Sequence, residues 1–298
     1  MTAPEGLWVA FTLVAATAQT FRNAAQKHLT AQLGTVGATH VRFLFGLPFG
    51  ILALALVFAI WGTLPWPNAA SLLWTLAGAV CQIGATALML SAMRERSFVV
   101  TTAYTKTEPI QIALFAFVFL GEHVTLQLAV AVLVATAGVV ALSWPSRKAD
   151  DVFSWRPALF GIASGSLFAL SAVGFRGGIT SLGTTDFVPA ATLTLAISLA
   201  IQATLLSAWL LIRDPSVMRK IMRAWRPSLG AGFLGAFASE NWFLAFALAS
   251  PARVRTLGLV EILIAGLISR RLFAQTPSLR DAIGIGLVVV GIVLLFNG

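Results

Sequence analysis

The chain has 298 residues, of which 58% are hydrophobic and only 10% are charged, and its mean hydropathy is +0.89. Soluble domains carry about 25% charged residues, so this composition excludes an ordinary soluble domain and indicates an integral membrane protein. The net charge is +9, but the basic residues fall mostly in the breaks between apolar segments, where they orient a membrane protein, and we expect no nucleic-acid partner. The single cysteine, Cys81, excludes an internal disulfide and a cysteine-based metal site.

Ten apolar segments follow one another along the chain, each close to the length of about 20 residues that a helix needs to cross a bilayer. They are separated by turn-forming clusters such as Pro65-Trp66-Pro67-Asn68 and Asp214-Pro215-Ser216. The longest polar loop, residues 213–227, is too short to form an extramembrane domain. Counted from the N-terminus, the predicted spans are residues 6–28, 36–61, 70–93, 97–120, 124–143, 157–179, 186–212, 228–249, 252–273 and 278–296.

One long passage of the sequence occurs twice. Residues 97–143 and 250–296 align without a gap at an offset of 153, which places Glu108 over Glu261. Each copy is an apolar stretch with a carboxylate near its middle, then a short break and a second apolar stretch. An apolar chain that repeats itself and keeps buried carboxylates in register is typical of a duplicated membrane transporter.

The duplication predicts the fold class and the domains. We expect an all-α integral membrane protein of ten transmembrane helices, built as two inverted five-helix repeats, residues 1–145 and 155–298. The second repeat is inverted because each half has an odd number of spans. Inverted repeats place a substrate site at their interface, near the bilayer midplane. A complete pathway then fits within one chain, so a monomer is the default expectation and an oligomer stays open.

The distribution of basic residues predicts the orientation. Loops after the odd-numbered spans hold 14 of the 20 Lys and Arg residues, whereas the opposite side holds only Arg176, Arg253 and Arg255. Because basic loops stay in the cytoplasm, this ratio predicts a multi-pass protein of the inner (cytoplasmic) membrane with both termini on the non-cytoplasmic side.

Two motifs in the fourth span resemble those of a known family. The span carries Glu108-Pro109 and closes with Leu120-Gly121-Glu122. With ten spans and a five-plus-five duplication, the chain resembles the drug/metabolite transporter superfamily, in its EamA-like branch, over essentially its whole length. The second copy departs from the pattern, since Ile262 follows its glutamate and residues 272–275 replace the Leu-Gly-Glu ending. The resemblance implies a secondary carrier that moves a small metabolite, often outward, by alternating access.

A polar layer near the middle of the membrane is the strongest functional signal. An ionisable side chain at the centre of a membrane helix costs about 2.5–3.5 kcal/mol, so each one needs a reason. Four spans, the third, fourth, eighth and ninth, supply the layer, and they are corresponding spans of the two halves. Its members are Gln82, Lys106, Glu108, Glu240 and Glu261.

The first span adds a polar face, and Arg22 borders it. The residues of this face recur at helical spacing and are Thr12, Ala16, Gln19, Asn23 and Gln26. A second arginine, Arg42, lies in the second span. One interpretation is a water-filled pathway in which both arginines attract an anionic group. The other is that both side chains snorkel toward the cytoplasmic interface.

The charges of the fourth span cannot all face one narrow pore, because Lys106 and Glu108 are about 200° apart around a helix. One interpretation pairs Lys106 with Glu240 or Glu261, while Glu108, on a face shared with Tyr104 or its neighbour, points to substrate. The alternative is an ion pair that only locks the bundle, since buried pairs are poor evidence of function.

The eighth span places a carboxylate, an amide and an indole together as Glu240, Asn241 and Trp242. Trp242 either stacks on a flat substrate or simply packs in the bundle. Glu240 is the better candidate for a proton carrier, because Ala87 occupies its repeat-equivalent position. Proton coupling is therefore an open alternative, and no cofactor is expected.

These residues favour a secondary transporter of a small polar or zwitterionic metabolite such as an amino acid, with export favoured over import. The arginines would bind the carboxylate of the metabolite, the glutamates would bind its amine or a proton, and Trp242 would contact its apolar part. The alternative is proton-coupled export of lipophilic cations. An enzyme is not expected, because every aspartate lies at the end of a span or in a loop and no nucleophile or metal-binding set is present. The expected partners are a small-molecule substrate and the lipid bilayer.

Overall fold

The computed structural model describes residues 6–95, 101, 104–143, 155–264 and 279–296, and within these ranges all regular secondary structure is helical. The all-α class is therefore confirmed. Within the described residues, the named helices are α1 (Leu7–Leu44), α2 (Leu47–Trp61), α3 (Ala69–Glu95), α4 (Glu108–Leu120), α5 (Leu126–Ser143), α6 (Trp155–Thr180), α7 (Phe187–Arg213), α8 (Pro215–Arg223), α9 (Trp225–Leu248), α10 (Pro251–Leu257) and α11 (Leu279–Phe296).

Five helical stretches of the described chain are long and apolar enough to cross a membrane. They are Leu7–Trp61, Ala69–Arg94, Ala158–Thr180, Phe187–Arg213 and Trp225–Leu248. Shorter apolar helices cover Glu108–Leu120, Leu126–Leu142 and Ile283–Phe296. Large apolar side chains also point outward, for example Ile60 at 74% and Ile212 at 79% exposure. Outer surfaces of this kind suit lipid tails, and the fold is that of a multi-pass membrane protein.

The first two predicted spans are joined, which differs from the expected loop between residues 28 and 36. Helix α1 continues to Leu44, and only Gly34 leaves the helical conformation, with φ 71° and ψ 176°. Glycine adopts this backbone without a steric penalty, so the chain changes direction at a kink instead of a loop. A turn at Phe45-Gly46 then separates α1 from α2 within the second predicted span.

Two predicted spans are broken near their middles. The chain turns at Lys106-Thr107 before α4 begins at Glu108, with Pro109 in the first turn of the new helix. Proline fits the first turn of a helix, because the amide hydrogen that it lacks would have no partner within the helix there. In the ninth span, α10 ends at Leu257 and helix resumes at residue 260. Residues 265–273 of that span lie outside the described chain.

The segment predicted as a polar loop at 213–227 contains a helix, so that expectation was wrong. Helix α8 is amphipathic: Ile221 is buried, whereas Arg219 and Lys220 are exposed. In the first turn of α8, the Ser216 hydroxyl donates a hydrogen bond to Asp214, the residue before the helix. This bond holds the pKa of the exposed Asp214 carboxyl below its usual value. A short helix with a basic face is suited to the membrane surface.

Small residues allow the helices to approach closely. The most extensive pairings are α3 with α6, α1 with α9, and α5 with α11. Helices α5 and α11 run antiparallel, because residues late in α5 lie against residues early in α11, and residues early in α5 lie against residues late in α11. Their closest approaches are Gly138 against Gly284 and Val288, and Gly291 against Ala131 and Ala135.

We expect Gly291→Ala to destabilise the protein by about 1–3 kcal/mol, because overpacked helices must shift apart. A Cβ at Gly291 would lie 2.6 Å from the backbone nitrogen of Ala135. Gly286 on the same helix has nothing within 4 Å of such an atom, so Gly286→Ala is the matched control. Thermal unfolding of both purified variants in detergent checks the difference, and equal midpoints would contradict this packing.

Candidate functional site

Two small cavities lie at the centre of the bundle and share Gln19, Phe168 and Arg255 in their linings. Their volumes are about 10 and 20 Å³, room for one or two water molecules. The other polar or charged residues of the first lining are Arg42, Gln82, Ser171, Ser239 and Trp242. Those of the second are Arg22, Asn23, Thr105, Lys106, Glu108 and Glu261. The site is thus closed around its own side chains.

At the two cavities, two ion pairs between described residues cross from one half of the chain to the other. Lys106 pairs with Glu261, and Nη2 of Arg255 lies 2.9 Å from Oε1 of Glu108. Each cation therefore contacts the carboxylate of the opposite half. All four side chains are at most 10% exposed. Of the partners proposed for Lys106, it is Glu261 that makes the contact, and Glu108 faces a cation of the protein.

The broken helices place these charges where helix dipoles favour them. Arg255 lies in the last turn of α10, and Glu108 is the first residue of α4. Glu261 is the second residue of the helix that resumes at 260. Cations are stabilised at the C-terminal end of a helix and anions at the N-terminal end. Each break thus offers one cation and one carboxylate at the same depth.

Gln19 connects three helical segments through its amide. Its Nε2 donates to Oε2 of Glu261 at 3.0 Å, and its Oε1 accepts from Nε1 of Trp242 at 3.0 Å. The guanidinium of Arg255 lies 4.3 Å from the ring centroid of Trp242, a cation–π contact. One face of the indole is therefore covered by Arg255.

Arg22 and Arg42 are buried, at 1% and 2% exposure, so the snorkelling interpretation was wrong. Arg22 donates from Nε and Nη2 to Oδ1 of Asn23, at 3.2 and 2.8 Å. Arg42 donates to the hydroxyls of Thr86 and Ser239, at 3.2 and 3.3 Å. Among the described residues neither arginine has a carboxylate partner. Both cations are thus held by neutral groups.

Glu240 and Asn241 lie outside the two linings. Oε1 of Glu240 accepts a hydrogen bond from the Thr192 hydroxyl at 2.5 Å. The amide of Asn241 donates to the carbonyl of Phe237 in its own helix at 2.9 Å. The three neighbours in sequence therefore separate, and only Trp242 reaches the cavities.

Gln82 and Tyr104 also have different surroundings. Gln82 lines the first cavity and accepts a hydrogen bond from Nε2 of Gln202 at 2.9 Å. Tyr104 packs against the backbone of Gly161 on α6 and is part of neither lining. The structure thus brings nine of the twelve predicted site residues to the cavities and leaves Tyr104, Glu240 and Asn241 beside them.

Arg255 is the residue that the sequence analysis missed, because it was assigned to the outer side with Arg176 and Arg253. The repeat itself contained the signal. At the offset of 153, position 255 aligns with position 102, which lies well inside the fourth predicted span.

The two ends of the bundle differ. Arg176 donates to the carbonyls of Phe246 and Ala247, at 2.5 and 3.1 Å, and forms an ion pair of 3.3 Å with Glu122. These contacts join the C-terminal ends of α4, α6 and α9. A third cavity of about 390 Å³ is lined by Thr35, Ser91, Arg94 and Phe160. It lies near the C-terminal end of α3 and the N-terminal end of α6. Among the described residues, the ion pair of Arg176 lies at one end of the bundle and the larger cavity at the other.

Apolar outer surfaces and a buried charged layer define a multi-pass integral membrane protein. Residues 6–144 match the sequence profile of the EamA-like transporter family, which confirms the predicted resemblance for the first half of the chain. The match points to a transporter of the drug/metabolite type rather than to an enzyme. No curated protein sequence matches the chain. A solved structure described only as "Crystal structure of protein" is similar at 17% identity and a TM-score of 0.69, covering 96% of this chain and 93% of that chain, and it shows the fold alone.

We expect Glu108→Gln to lower the free energy of unfolding by about 3–5 kcal/mol, because it leaves the buried Arg255 without its carboxylate. Combining it with Arg255→Gln removes both charges, so the double variant should lose less than the two single losses together. Thermal unfolding in detergent measures the cycle. Arg253→Gln on the same helix is the control, with an expected change within about 0.5 kcal/mol. Additive losses would contradict the pairing.

Proposed function

We propose that the protein is a secondary active transporter that works by alternating access, with its substrate site between two inverted repeats near the bilayer midplane. The proposed repeats are residues 1–145 and 155–298. The proposed substrate is a small polar or zwitterionic metabolite such as an amino acid, moved outward through a pathway within one chain. The crossed ion pairs carry this proposal, since they join the two halves at the cavities.

The packing of α5 on α11 supports the repeat. Gly138 contacts Gly284 and Val288, whereas its equivalent Gly291 contacts Ala131 and Ala135. The offset of 153 converts each of these contacts into the other. The two other extensive pairings, α1 with α9 and α3 with α6, also exchange when the halves are exchanged. A two-fold relation between halves is what inverted repeats require.

The ion pairs suggest how substrate is linked to movement of the halves. If the halves separate without substrate, buried charges lose their partners, which costs several kcal/mol per ion. A solute with its own charged groups can occupy those partners and lower that cost. A ligand shifts a conformational equilibrium only through such a difference in binding between states.

The ends of the bundle are consistent with one side opening at a time. Arg176 bridges Glu122 and the end of α9 on the predicted outer side, whereas the 390 Å³ cavity lies toward the predicted cytoplasmic side. We propose that the solute enters the carrier from this side and leaves on the other, as in an exporter.

Export of lipophilic cations is less well supported. Among the described residues, two carboxylates line the cavities together with four cations, Arg22, Arg42, Lys106 and Arg255. A cationic drug would add a like charge to a site that already has an excess of positive charge.

We expect residues on α8 to face the cytoplasm and the loop after α6 to face outward, following the positive-inside rule. Arg219→Cys and Thr184→Cys, each in a Cys81→Ser background, report the two sides. A membrane-impermeant maleimide applied to intact cells should label position 184, and position 219 should react only after permeabilisation. The reverse pattern would overturn the proposed orientation.

The proposal predicts saturable uptake of a carboxylate-bearing solute by proteoliposomes containing the full chain. Glu240 is proposed as the proton-coupling group, so Glu240→Gln should abolish uptake driven by a pH gradient but retain exchange at equal pH. Arg219→Gln is the control and should retain both. An unchanged response to the gradient in Glu240→Gln would remove Glu240 from coupling, and folded protein that moves no solute would overturn transport.

A further inference from the structure

We propose that the transported solute is a small organic anion with two negative charges, which binds between Arg22 and Arg42. This inference rests on the proposed transport function and narrows its substrate from a polar or zwitterionic metabolite to one with net negative charge. A dicarboxylate and a phosphate monoester share this chemistry.

The charges of the cavities are unbalanced. Lys106 with Glu261 and Arg255 with Glu108 form two neutral pairs. Arg22 and Arg42 remain as two buried cations, and no carboxylate of the described residues forms an ion pair with either of them. Glu240 does not compensate them at this site, since it bonds to Thr192 and belongs to neither lining. A bound dianion would balance the two arginines.

The two arginines are neighbours. A Cβ added at Gly235 would lie 3.0 Å from Cγ of Arg42 and 3.7 Å from Cδ of Arg22, so both side chains lie against the same point of α9. Like charges on neighbouring side chains repel each other in a site with little water. An anion that contacts both guanidinium groups removes this repulsion, and the free energy released contributes to binding.

Donor groups remain for an anion to use. In the described chain, Nη1 of Arg22, Nε of Arg42, and Nε and Nη1 of Arg255 are buried without an acceptor. Buried donors normally have an acceptor, and guanidinium groups bind carboxylates and phosphates through paired N–H bonds. Arg42 lines the first cavity, Arg22 lines the second, and Arg255 lines both, so their donors face the two adjoining cavities from α1 and α10.

A neutral amino acid fits this arrangement less well. Its carboxylate could occupy one arginine, but its amine needs a free carboxylate. Glu108 and Glu261 are each already engaged by a cation of the opposite half. A solute with two negative charges binds to the excess positive charge and does not require either of the engaged carboxylates.

The test measures binding to the purified full-length protein by thermal shift and uptake by proteoliposomes. The probes are succinate for dicarboxylates, glycerol phosphate for phosphate monoesters, alanine for neutral zwitterions and tetraphenylphosphonium for lipophilic cations. We expect one or both dianions to stabilise the protein and to be taken up, and the comparison of the two identifies the acidic group. A ligand that binds the folded state raises its stability.

Arg22→Gln and Arg42→Gln should each weaken dianion binding by about 10- to 150-fold, the range for hydrogen bonds to charged groups. Arg22→Lys and Arg42→Lys keep the charge and should recover part of the affinity. Arg219→Gln on α8 is the control and should bind as the unaltered protein does. Size-exclusion profiles identify any variant that fails to fold, and for such a variant the lysine substitution provides the measurement.

The remaining outcomes separate this inference from the transport proposal. Saturable uptake of alanine or tetraphenylphosphonium with no effect of either dianion would overturn the inference while transport stands. Dianion binding that is unchanged in both glutamine variants would also overturn it, because the site would lie elsewhere. Folded protein that binds and moves none of the probes would count against both.

Discussion

The crossed ion pairs are the constraint on which the rest of the centre depends. A buried charge is tolerated only when a partner and further hydrogen bonds compensate its loss of water. Here the partner always comes from the opposite half, through Lys106 with Glu261 and Arg255 with Glu108. The two halves are therefore held together by the residues that line the cavities. Any movement that opens the centre must break these contacts or replace them.

The breaks in two helices make this exchange geometrically possible. In an unbroken helix, Lys106 and Glu108 would point to nearly opposite sides, whereas the turn between α4 and the preceding residues lets both line one cavity. Irregular backbone at membrane depth is tolerated where protein surrounds it. Gly258 illustrates the fit, because a Cβ there would lie 2.7 Å from the Trp242 ring. Bulkier side chains at this position would displace the indole.

The two halves are not equivalent in charge. Both contribute one cation and one carboxylate to the crossed pairs, but the unpaired Arg22 and Arg42 come from α1 alone. The polar face of the first span was predictable, because Gln19, Asn23 and Gln26 recur at helical spacing and are buried as expected. Whether its arginines reached the surface or the centre depended on how α9 covers them, and no spacing within α1 contains that information.

The sequence by itself determined the membrane class and the helical fold, and it identified most members of the charged layer. These follow from hydropathy and from the cost of placing a charge in lipid, which are properties of single segments. Only the tertiary structure decided that Arg255 belongs to the site, that Glu240 lies beside it, and which carboxylate pairs with Lys106. Such choices depend on distances between helices far apart in the chain. The turns within the fourth and ninth spans set those distances, and hydropathy does not distinguish a broken helix from a continuous one.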